Sequence, residues 1–243
     1  MLIVNADDLG RLRIATDTAL SCYARKRITS TSAMVFMEDS ERAAELALAS
    51  GIEVGLHINL SEQFSAADVP SRLRDCHDKT CRFLGASKYS LLLFHPLLTR
   101  QFRYTFDAQH DEFLRLYGRP PSHLDGHHHM HLATNMLVQR IAPAGTAVRR
   151  SFSFRPGERG FLNRWYRRLV DVSLQRRHRL TDYFFSLSQH MSIDRLDRVI
   201  VLSTEFSVEL MTHPQSQDEY DFLMGEDYGQ AISRVTLAGY DAL

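Results

Sequence analysis

The chain has few residues that could cross-link it through disulfides or zinc. Its 243 residues include three cysteines and one tryptophan. Cys22, Cys76 and Cys81 are too few for a disulfide framework. Cys76-His77 with Cys81 could supply half of a zinc site, but no matching second pair follows in the sequence. A small disulfide scaffold or a structural zinc module is therefore disfavoured.

The sequence also has no excess of charge of one sign. It contains 29 lysines and arginines and 29 aspartates and glutamates, so the formal net charge is +0 with neutral histidines. This balance, without a recognisable nucleic-acid-binding module, argues against nucleic acid as a partner.

Long hydrophobic runs are missing as well. The longest apolar stretch, residues 91–98, is interrupted by His95 and Pro96 and is too short to cross a bilayer. The sequence opens on the apolar residues 2–4, which favour a strand, with no basic leader or cleavable hydrophobic segment before them. We therefore expect a cytoplasmic protein.

The composition and patterning are typical of a globular α/β enzyme. Hydrophobic residues make up 44% of the chain, which is enough for a large core, and α/β barrels reach this length as one domain. Strands are predicted at 2–4, 29–37, 52–60, 122–125, 146–150 and 207–212, and helices at 15–26, 41–49, 98–117, 135–141 and 227–237. This alternation favours parallel strands with helical crossovers. We expect one domain over residues 1–243, with a loop-rich excursion near 61–95.

The densest group of chemically versatile residues is the segment 123–131, HLDGHHHMH, with five histidines and one aspartate. Neutral imidazole is a common metal ligand, and histidine titrates near physiological pH. Alternation along a strand or an irregular turn can direct His127 and His129 to one side while His128 and His131 pack. Asp125 can orient a ligating imidazole through its second ring nitrogen.

Other acidic and imidazole side chains also follow predicted strands. Asp7 and Asp8 come after the first strand, His57 ends the third, and His213 follows the last. Loops after parallel strands converge on one face of a barrel or open sheet, so these residues can share a site with the histidine segment. One of the adjacent carboxylates can bind a cation while the other serves as a general base.

Five blocks occur in order along the chain: LIVNADDLG at 2–10, TSTSAMV at 29–35, VGLHINL at 54–60, PSHLDGHHHMH at 121–131 and ELMTHP at 209–214. Together they resemble the YdjC-like family of carbohydrate deacetylases, and the first and fourth blocks are the most distinctive. The resemblance implies a single-domain α/β fold, a distorted, TIM-barrel-like (β/α) barrel of parallel strands. Residues 11–16 differ from the small, polar stretch expected after Gly10, which leaves the identity of the sugar open.

The resemblance also implies metal-dependent hydrolysis of N-acetyl groups on amino sugars. Matched residue by residue, Asp8, His57 and His127 correspond to the metal ligands, Asp7 to the general base and His213 to the candidate general acid. One divalent ion, zinc or magnesium, is expected. The remaining candidates for orienting ligands or contacting the substrate are Asp125, His129, His131 and Arg155.

Arginines concentrate around the segment 156–180, which favours a helix. There Phe161, Trp165, Leu169 and Val172 recur at helical spacing, with arginines mostly on the other side. Three interpretations compete: a solvated amphipathic helix, a site for an anionic group on the substrate, and attachment to an anionic membrane surface. The last two converge on a lipid-linked or nucleotide-linked amino sugar and on a protein peripheral to the membrane.

Two other functions compete with the deacetylase interpretation. A metal-dependent phosphoesterase could use Asp and His ligands, but it would usually need two metals and more carboxylates. A non-catalytic sugar- or lipid-binding barrel would give Asp7 no evident role. A homodimer is compatible with the resemblance, which does not specify the oligomeric state.

Overall fold

The fold is built on one parallel sheet. In a computed structural model, which describes residues 1–154 and 157–243, seven strands are ordered β5-β4-β3-β2-β1-β7-β6. The strands are β1 (Leu2–Leu9), β2 (Ser30–Ala33), β3 (Glu53–Ile58), β4 (His123–Gly126), β5 (Ala147–Val148), β6 (Tyr183–Ser186) and β7 (Val208–Thr212). Every neighbouring pair runs parallel. The predicted α/β fold is confirmed.

Helices form most of the crossovers between strands. Within the described residues they are α1 (Arg13–Ala24), α2 (Ser40–Ser50), α3 (Ser71–Gly85), α4 (Thr99–Tyr117), α5 (Thr134–Val138), α6 (Phe161–Gln175), α7 (Ile193–Glu205), α8 (Gln217–Met224) and α9 (Glu226–Ile232). None of them is both long enough and apolar enough to cross a membrane. A 3₁₀ turn, His127–Leu132, follows β4 directly.

Alternate residues of each strand have different surroundings, because successive side chains in a strand point to opposite faces. In β1, Leu2, Val4 and Ala6 belong to the main apolar core between sheet and helices. Asn5 and Asp7 alternate with them, and their side chains contact polar groups of β2. The inner face of the curled sheet is therefore rich in polar groups, whereas its outer face is apolar.

The edges of the sheet approach each other and turn it into a distorted barrel. In β5, the Val148 amide donates to the Arg179 carbonyl at 2.9 Å, and after β5 the Ser153 amide donates to the Phe184 carbonyl of β6 at 3.0 Å. The two edge strands, β5 and β6, are thus joined by these few hydrogen bonds and by an isolated bridge between Ala147 and Arg179, and not by a continuous ladder of hydrogen bonds. The distorted (β/α) barrel predicted from the resemblance is confirmed.

Several elements differ from the expectations drawn from the sequence. The expected loop-rich excursion at 61–95 contains the 15-residue helix α3, so that expectation is wrong over those residues. Strand β2 ends at Ala33 rather than extending to residue 37, and the last helix, α9, is shorter than the predicted 227–237. The arginine-rich segment does contain a helix, α6.

Candidate metal and catalytic site

Two adjacent carboxylates face the same site because β1 is irregular at its end. In a regular strand Asp7 and Asp8 would point to opposite faces. Pairing with β2 shifts by one residue between Ala6 and Leu9, and Asp8 adopts a left-handed backbone with φ of 70°. Such a backbone is strained for any residue but glycine. The bulge brings both carboxylates towards His57 Nε2, at 4.0 Å from Asp7 Oδ2 and 3.2 Å from Asp8 Oδ1.

The three residues matched to metal ligands converge on one point. Nδ1 of His127 lies 2.9 Å from Asp8 Oδ1, the same oxygen that His57 Nε2 approaches. All three side chains are buried, and one ligand atom from each lies within 4.8 Å of the other two. The residues come from the ends of β1 and β3 and from the turn after β4, where a parallel barrel places its loops. The structure thus joins residues that are 119 positions apart.

Asp125 fixes the orientation of His57. The two residues are directly paired in the register of β3 and β4, and Asp125 Oδ1 lies 2.8 Å from His57 Nδ1. A carboxylate that holds one imidazole nitrogen leaves the other nitrogen directed at the metal position. The Ser32 hydroxyl donates to Asp125 Oδ2 at 2.9 Å and keeps that carboxylate in place.

Arg149 connects the carboxylates at the base of the site. Its guanidinium donates to Asp7 Oδ2 at 2.6 Å and to Asp7 Oδ1 at 2.7 Å, and it lies 2.8 Å from Asp125 Oδ2 and 2.5 Å from Glu209 Oε1. The side chain is 0% exposed, and no other lysine or arginine among the described residues is buried. The planar fork of arginine matches a carboxylate bidentately, which lysine cannot do.

The charges in the site shift its proton equilibria strongly. Burial alone would raise the pKa of Asp7, but the charges of Arg149 and His57 and the hydrogen bonds from Arg149 together outweigh it, and the pKa is lowered. Burial opposes ionisation of Asp8 too, yet hydrogen bonds from His127 and His57 lower its pKa. Burial alone would lower the pKa of His57, whereas the charges of Asp125 and Asp7 raise it to about 10.

A divalent cation fits this donor set. Arg149 pairs with three of the buried carboxylates, Asp7, Asp125 and Glu209. The fourth, Asp8, is buried outside this pairing between two imidazoles, where a cation would balance its charge. One carboxylate with two imidazoles suits zinc, and the site can also accept magnesium if water completes its coordination. A second cluster of Asp7, His57 and Asp125 exists, but Arg149 holds both of its carboxylates.

The loop after β7 places further polar residues beside the carboxylates. His213 is partly exposed; its amide donates to Glu219 Oε2 at 2.7 Å, and its Nδ1 lies 4.0 Å from Glu219 Oε1. Two residues later, the Gln215 side-chain amide donates to Asp8 Oδ2 at 2.9 Å. The loop with His213 therefore contacts Asp8, a member of the cluster with His57 and His127, directly through Gln215.

The other described histidines after His127 shape the turn or pack against neighbouring groups. His128 and His129 have left-handed backbones with φ of 51° and 59°, which turns the chain sharply after His127. His129 lies edge-on to Phe152 and Phe184, with ring centroids 4.6 and 5.8 Å apart. His131 is buried, and its Nε2 lies 3.0 Å from the Arg149 carbonyl. Neither ring joins the cluster around Asp8, and Arg155 lies outside the described residues.

Some residues of the site were missed by the sequence interpretation. The sequence motifs assign no role to Arg149, Glu209, Gln215 or Glu62. Glu62 Oε2 lies 3.2 Å from His127 Nε2, and Arg11 Nε donates to the same carboxylate oxygen at 2.7 Å. For Arg149 and Glu209 a signal existed, because each is a charged residue within or directly after a predicted strand. Gln215 and Glu62 lie in loops, where no such pattern applies.

Comparisons with known proteins support the resemblance seen in the motifs. A carbohydrate deacetylase from Mus musculus is 30% identical over 240 residues, covering 88% of this chain and 77% of the relative. A chitooligosaccharide deacetylase from Proteus mirabilis is 34% identical over 133 residues, which is 54% of this chain and 50% of that protein. The chain thus spans about half the length of this bacterial relative.

The fold has a counterpart among solved structures, and a family profile covers most of the chain. An Enterococcus faecalis protein, described as a candidate for cellobiose-phosphate cleavage, superposes with a TM-score of 0.70 at 20% identity. The superposition covers 99% of this chain and 97% of the other. The profile of the YdjC-like protein family matches residues 1–234. The resemblance predicted from the five sequence blocks is confirmed, and the chain belongs to the YdjC-like protein family.

Proposed function

We propose that the protein is a metal-dependent hydrolase that removes the N-acetyl group from an N-acetylated amino sugar. The observation that carries the proposal is the convergence of Asp8, His57 and His127, with the Asp7 carboxylate beside them. These three would hold one divalent cation, zinc or magnesium. When bound, such an ion polarises the acetyl carbonyl and acidifies water.

Asp7 is the proton acceptor in this proposal. Its Oδ1 accepts hydrogen bonds from Asn5 and Arg149, whereas Oδ2 bonds to Arg149 Nη1 and lies 4.0 Å from His57 Nε2. Oδ2 therefore lies next to the cluster, where a water molecule can approach it. Since the Arg149 charge lowers its pKa, Asp7 is ionised at neutral pH and can take a proton from that water as its oxygen attacks the acetyl carbon.

His213 is the proposed proton donor to the leaving nitrogen. An amide does not expel its nitrogen readily as an anion, so a proton must reach it as the C–N bond breaks. Glu219 accepts a hydrogen bond from the His213 backbone amide, and its Oε1 lies 4.0 Å from His213 Nδ1, so Glu219 positions the imidazole. The products are acetate and a free amino sugar.

The substrate class rests on the relatives. The curated relatives described above are named carbohydrate deacetylase and chitooligosaccharide deacetylase, and we propose the same kind of substrate here. A metal phosphoesterase with two ions fits less well, because the second cluster shares His57 with the first and has its carboxylates bound to Arg149.

The test is release of acetate from N-acetylglucosamine oligomers by protein that has been stripped with a chelator and reloaded with zinc or magnesium. We expect equal amounts of acetate and free amine, loss of activity on stripping and recovery on reloading. Asp7→Asn should lower kcat by about 100-fold or more while the protein still binds one metal. Asp75→Asn, which changes an exposed carboxylate of α3, is the matched control and should leave kcat unchanged.

Two results would contradict the proposal. Full acetate release by Asp7→Asn would remove the base from the mechanism. No acetate from any N-acetylated sugar tested, with the metal shown to be bound, would remove the activity itself.

A further inference from the structure

Helix α6 carries an apolar face that the fold leaves uncovered. The helix is anchored by the buried residues Val170 and Leu174. Roughly opposite them, within an arc of about 100° at the spacing of an α-helix, lies a group that we call the α6 apolar stripe: Phe161, Leu162, Trp165, Leu169 and Val172. All five are exposed, and Leu162 is 76% exposed. Exposed apolar residues that occur singly need no explanation, but a contiguous group marks an interaction surface.

A second exposed apolar segment lies next to the stripe. Between α3 and α4 the exposed side chains include Tyr89, Leu92, Leu93, Phe94 and Leu97. Tyr89 and Leu92 line a mostly apolar groove of about 900 Å³ together with Leu162 of the stripe. Leu132 and Ser151, which follow β4 and β5, line the same groove. The apolar surface therefore adjoins the end of the barrel where the histidine cluster lies.

The charge around the stripe is positive. Helix α6 and the two residues after it contain one acidic residue, Asp171, and five arginines: Arg164, Arg167, Arg168, Arg176 and Arg177. Asp171 is buried and already accepts hydrogen bonds from Ser151 and Arg150. An occupant that covers the stripe thus meets arginines at its border and no exposed carboxylate from α6.

A second copy of the chain suits this surface poorly. A two-fold contact through α6 would place the same patch on both sides of the interface. The arginines of one helix would then face those of the other, and like charges across an interface disfavour it. An anionic lipid surface offers negative phosphates to the arginines and acyl chains to the stripe.

We propose that the α6 apolar stripe and the exposed residues of the segment 89–97 dock the protein on an anionic lipid bilayer. Helix α6 lies parallel to the membrane, with the stripe at the boundary between headgroups and acyl chains and the arginines at the level of the phosphates. Trp165 in the middle of the stripe suits this position, since the indole has an apolar body and a polar N–H. The docking surface is distinct from the metal cluster and does not depend on the reaction.

The experiment is vesicle binding by the full chain, without substrate, to phosphatidylcholine alone and to phosphatidylcholine mixed with phosphatidylglycerol. Trp165 is the only tryptophan, so its emission reports directly on the stripe. We expect co-sedimentation with the anionic vesicles only, a shift of the emission to shorter wavelength, and loss of binding at high salt.

Variants separate the two halves of the surface. Arg164→Gln with Arg168→Gln should weaken binding about thirtyfold, because each basic residue near an anionic surface contributes about a factor of five. Phe161→Ser with Leu162→Ser should weaken it by at least about tenfold and abolish the emission shift.

The matched controls are Val201→Ser, which changes an exposed apolar residue of α7, and Arg234→Gln, which changes an exposed arginine. Both should bind like the unaltered chain, and all variants should keep its melting temperature.

Three outcomes would overturn the proposal: no binding to anionic vesicles, equal binding to neutral vesicles, or a concentration-dependent dimer that Phe161→Ser with Leu162→Ser dissociates. The last would make a second copy of the chain the occupant. Acetate release from a soluble sugar should be the same in all these variants, so failure of the docking proposal is distinguishable from failure of the proposed function.

Discussion

Arg149 and Asp7 form a bidentate pair in the interior of the barrel, with Nη1 2.6 Å from Oδ2 and Nη2 2.7 Å from Oδ1. The pair sets both the charge and the direction of the proposed base. Because the same guanidinium also reaches Asp125 and Glu209, it holds three strands together through charged side chains rather than apolar packing. We therefore expect both the stability of the fold and the proposed catalysis to depend on this one buried guanidinium.

Replacing Arg149 with Met should destabilise the protein strongly. The change leaves three buried carboxylates without their cation, and breaking a buried ion pair by removing one partner costs about 3–5 kcal/mol. Urea unfolding of the metal-free protein measures the loss. Arg149→Lys should retain part of the stability but lower kcat, because lysine keeps the charge without the fork that orients Asp7.

The matched control for this prediction is Arg234→Met. Arg234 is exposed and pairs with Asp197 at 2.8 Å, and surface pairs contribute about 0–1 kcal/mol. An unfolding midpoint for Arg149→Met close to that of Arg234→Met would show that the buried network contributes little to folding.

The pairing of Asp125 with His57 leads to a prediction about metal affinity. Asp125→Asn removes the charge that orients His57 but leaves the three proposed ligands, so the metal dissociation constant should rise about 10–100-fold. Saturated protein should still hold one ion per chain. Asp8→Asn removes a proposed ligand and should lose far more affinity. Competition with a chromogenic chelator measures both constants, and equal affinities for Asp125→Asn and the unaltered chain would contradict the orienting role.

The main features of the site were predictable because they lie in contiguous motifs at strand ends. Asp8, His57 and His127 each end or follow a predicted strand, and the parallel arrangement brings such ends together. Their convergence also needs the bulge in β1, where Asp8 takes a left-handed backbone. No sequence pattern for this bulge exists beyond the two adjacent aspartates, because aspartate takes a left-handed backbone only occasionally and glycine is the usual residue there.

Helix α3, strand β6 and the inward orientation of Arg149 were hard to predict from the sequence, for physical reasons. Helix α3 buries Leu73, His77, Thr80 and Leu84 at helical spacing, but two of the four are polar, which conceals the hydrophobic period. Strand β6 has only four residues, Tyr183–Ser186, and short apolar runs are ambiguous. Arg149 follows Ala147 by two residues and so faces the barrel interior. The alternation of side chains along the strand therefore indicates the inward position of Arg149, whereas the many arginines nearby do not.

Gly55 should not tolerate a side chain. A Cβ atom at this position in β3 would lie 2.3 Å from Cε1 of the His123 ring, which itself stacks on Tyr240 with centroids 3.6 Å apart. Gly55→Ala should therefore lower the free energy of unfolding by about 3 kcal/mol, the upper end of the usual range for overpacking. Gly85→Ala, at the end of α3, meets nothing within 4 Å and should be neutral or slightly stabilising.

A second substitution identifies the cause of the Gly55 effect. If the clash with the imidazole is responsible, His123→Ala should cost less stability in the Gly55→Ala background than in the unaltered chain. Denaturant unfolding of the four proteins gives the coupling. Strictly additive losses would show that Gly55 is required for another reason.

His77 predicts a loss of stability in acid that can be assigned to one residue. Burial lowers the pKa of His77 to about 4, below the ordinary value of 6.5. The ring stacks on Phe64 with centroids 3.8 Å apart, and Nε2 donates to the Asn59 carbonyl at 3.2 Å. Between these two pKa values the unfolded chain binds a proton that the folded chain does not. The free energy of unfolding must therefore fall as the pH is lowered through this window.

The variant His77→Phe keeps an aromatic ring against Phe64 and removes the titrating group. Between pH 7 and pH 5 the free energy of unfolding of the unaltered chain should fall by about 2 kcal/mol more than that of His77→Phe, measured by urea unfolding with excess chelator. Above pH 7.5 the difference between the two proteins should be constant, because the imidazole is neutral in both states there. If the two proteins lost stability in parallel from pH 7 down to pH 5, His77 would take up its proton in the folded chain as well. That result would contradict the neutral, donating imidazole that the contacts with Phe64 and Asn59 imply.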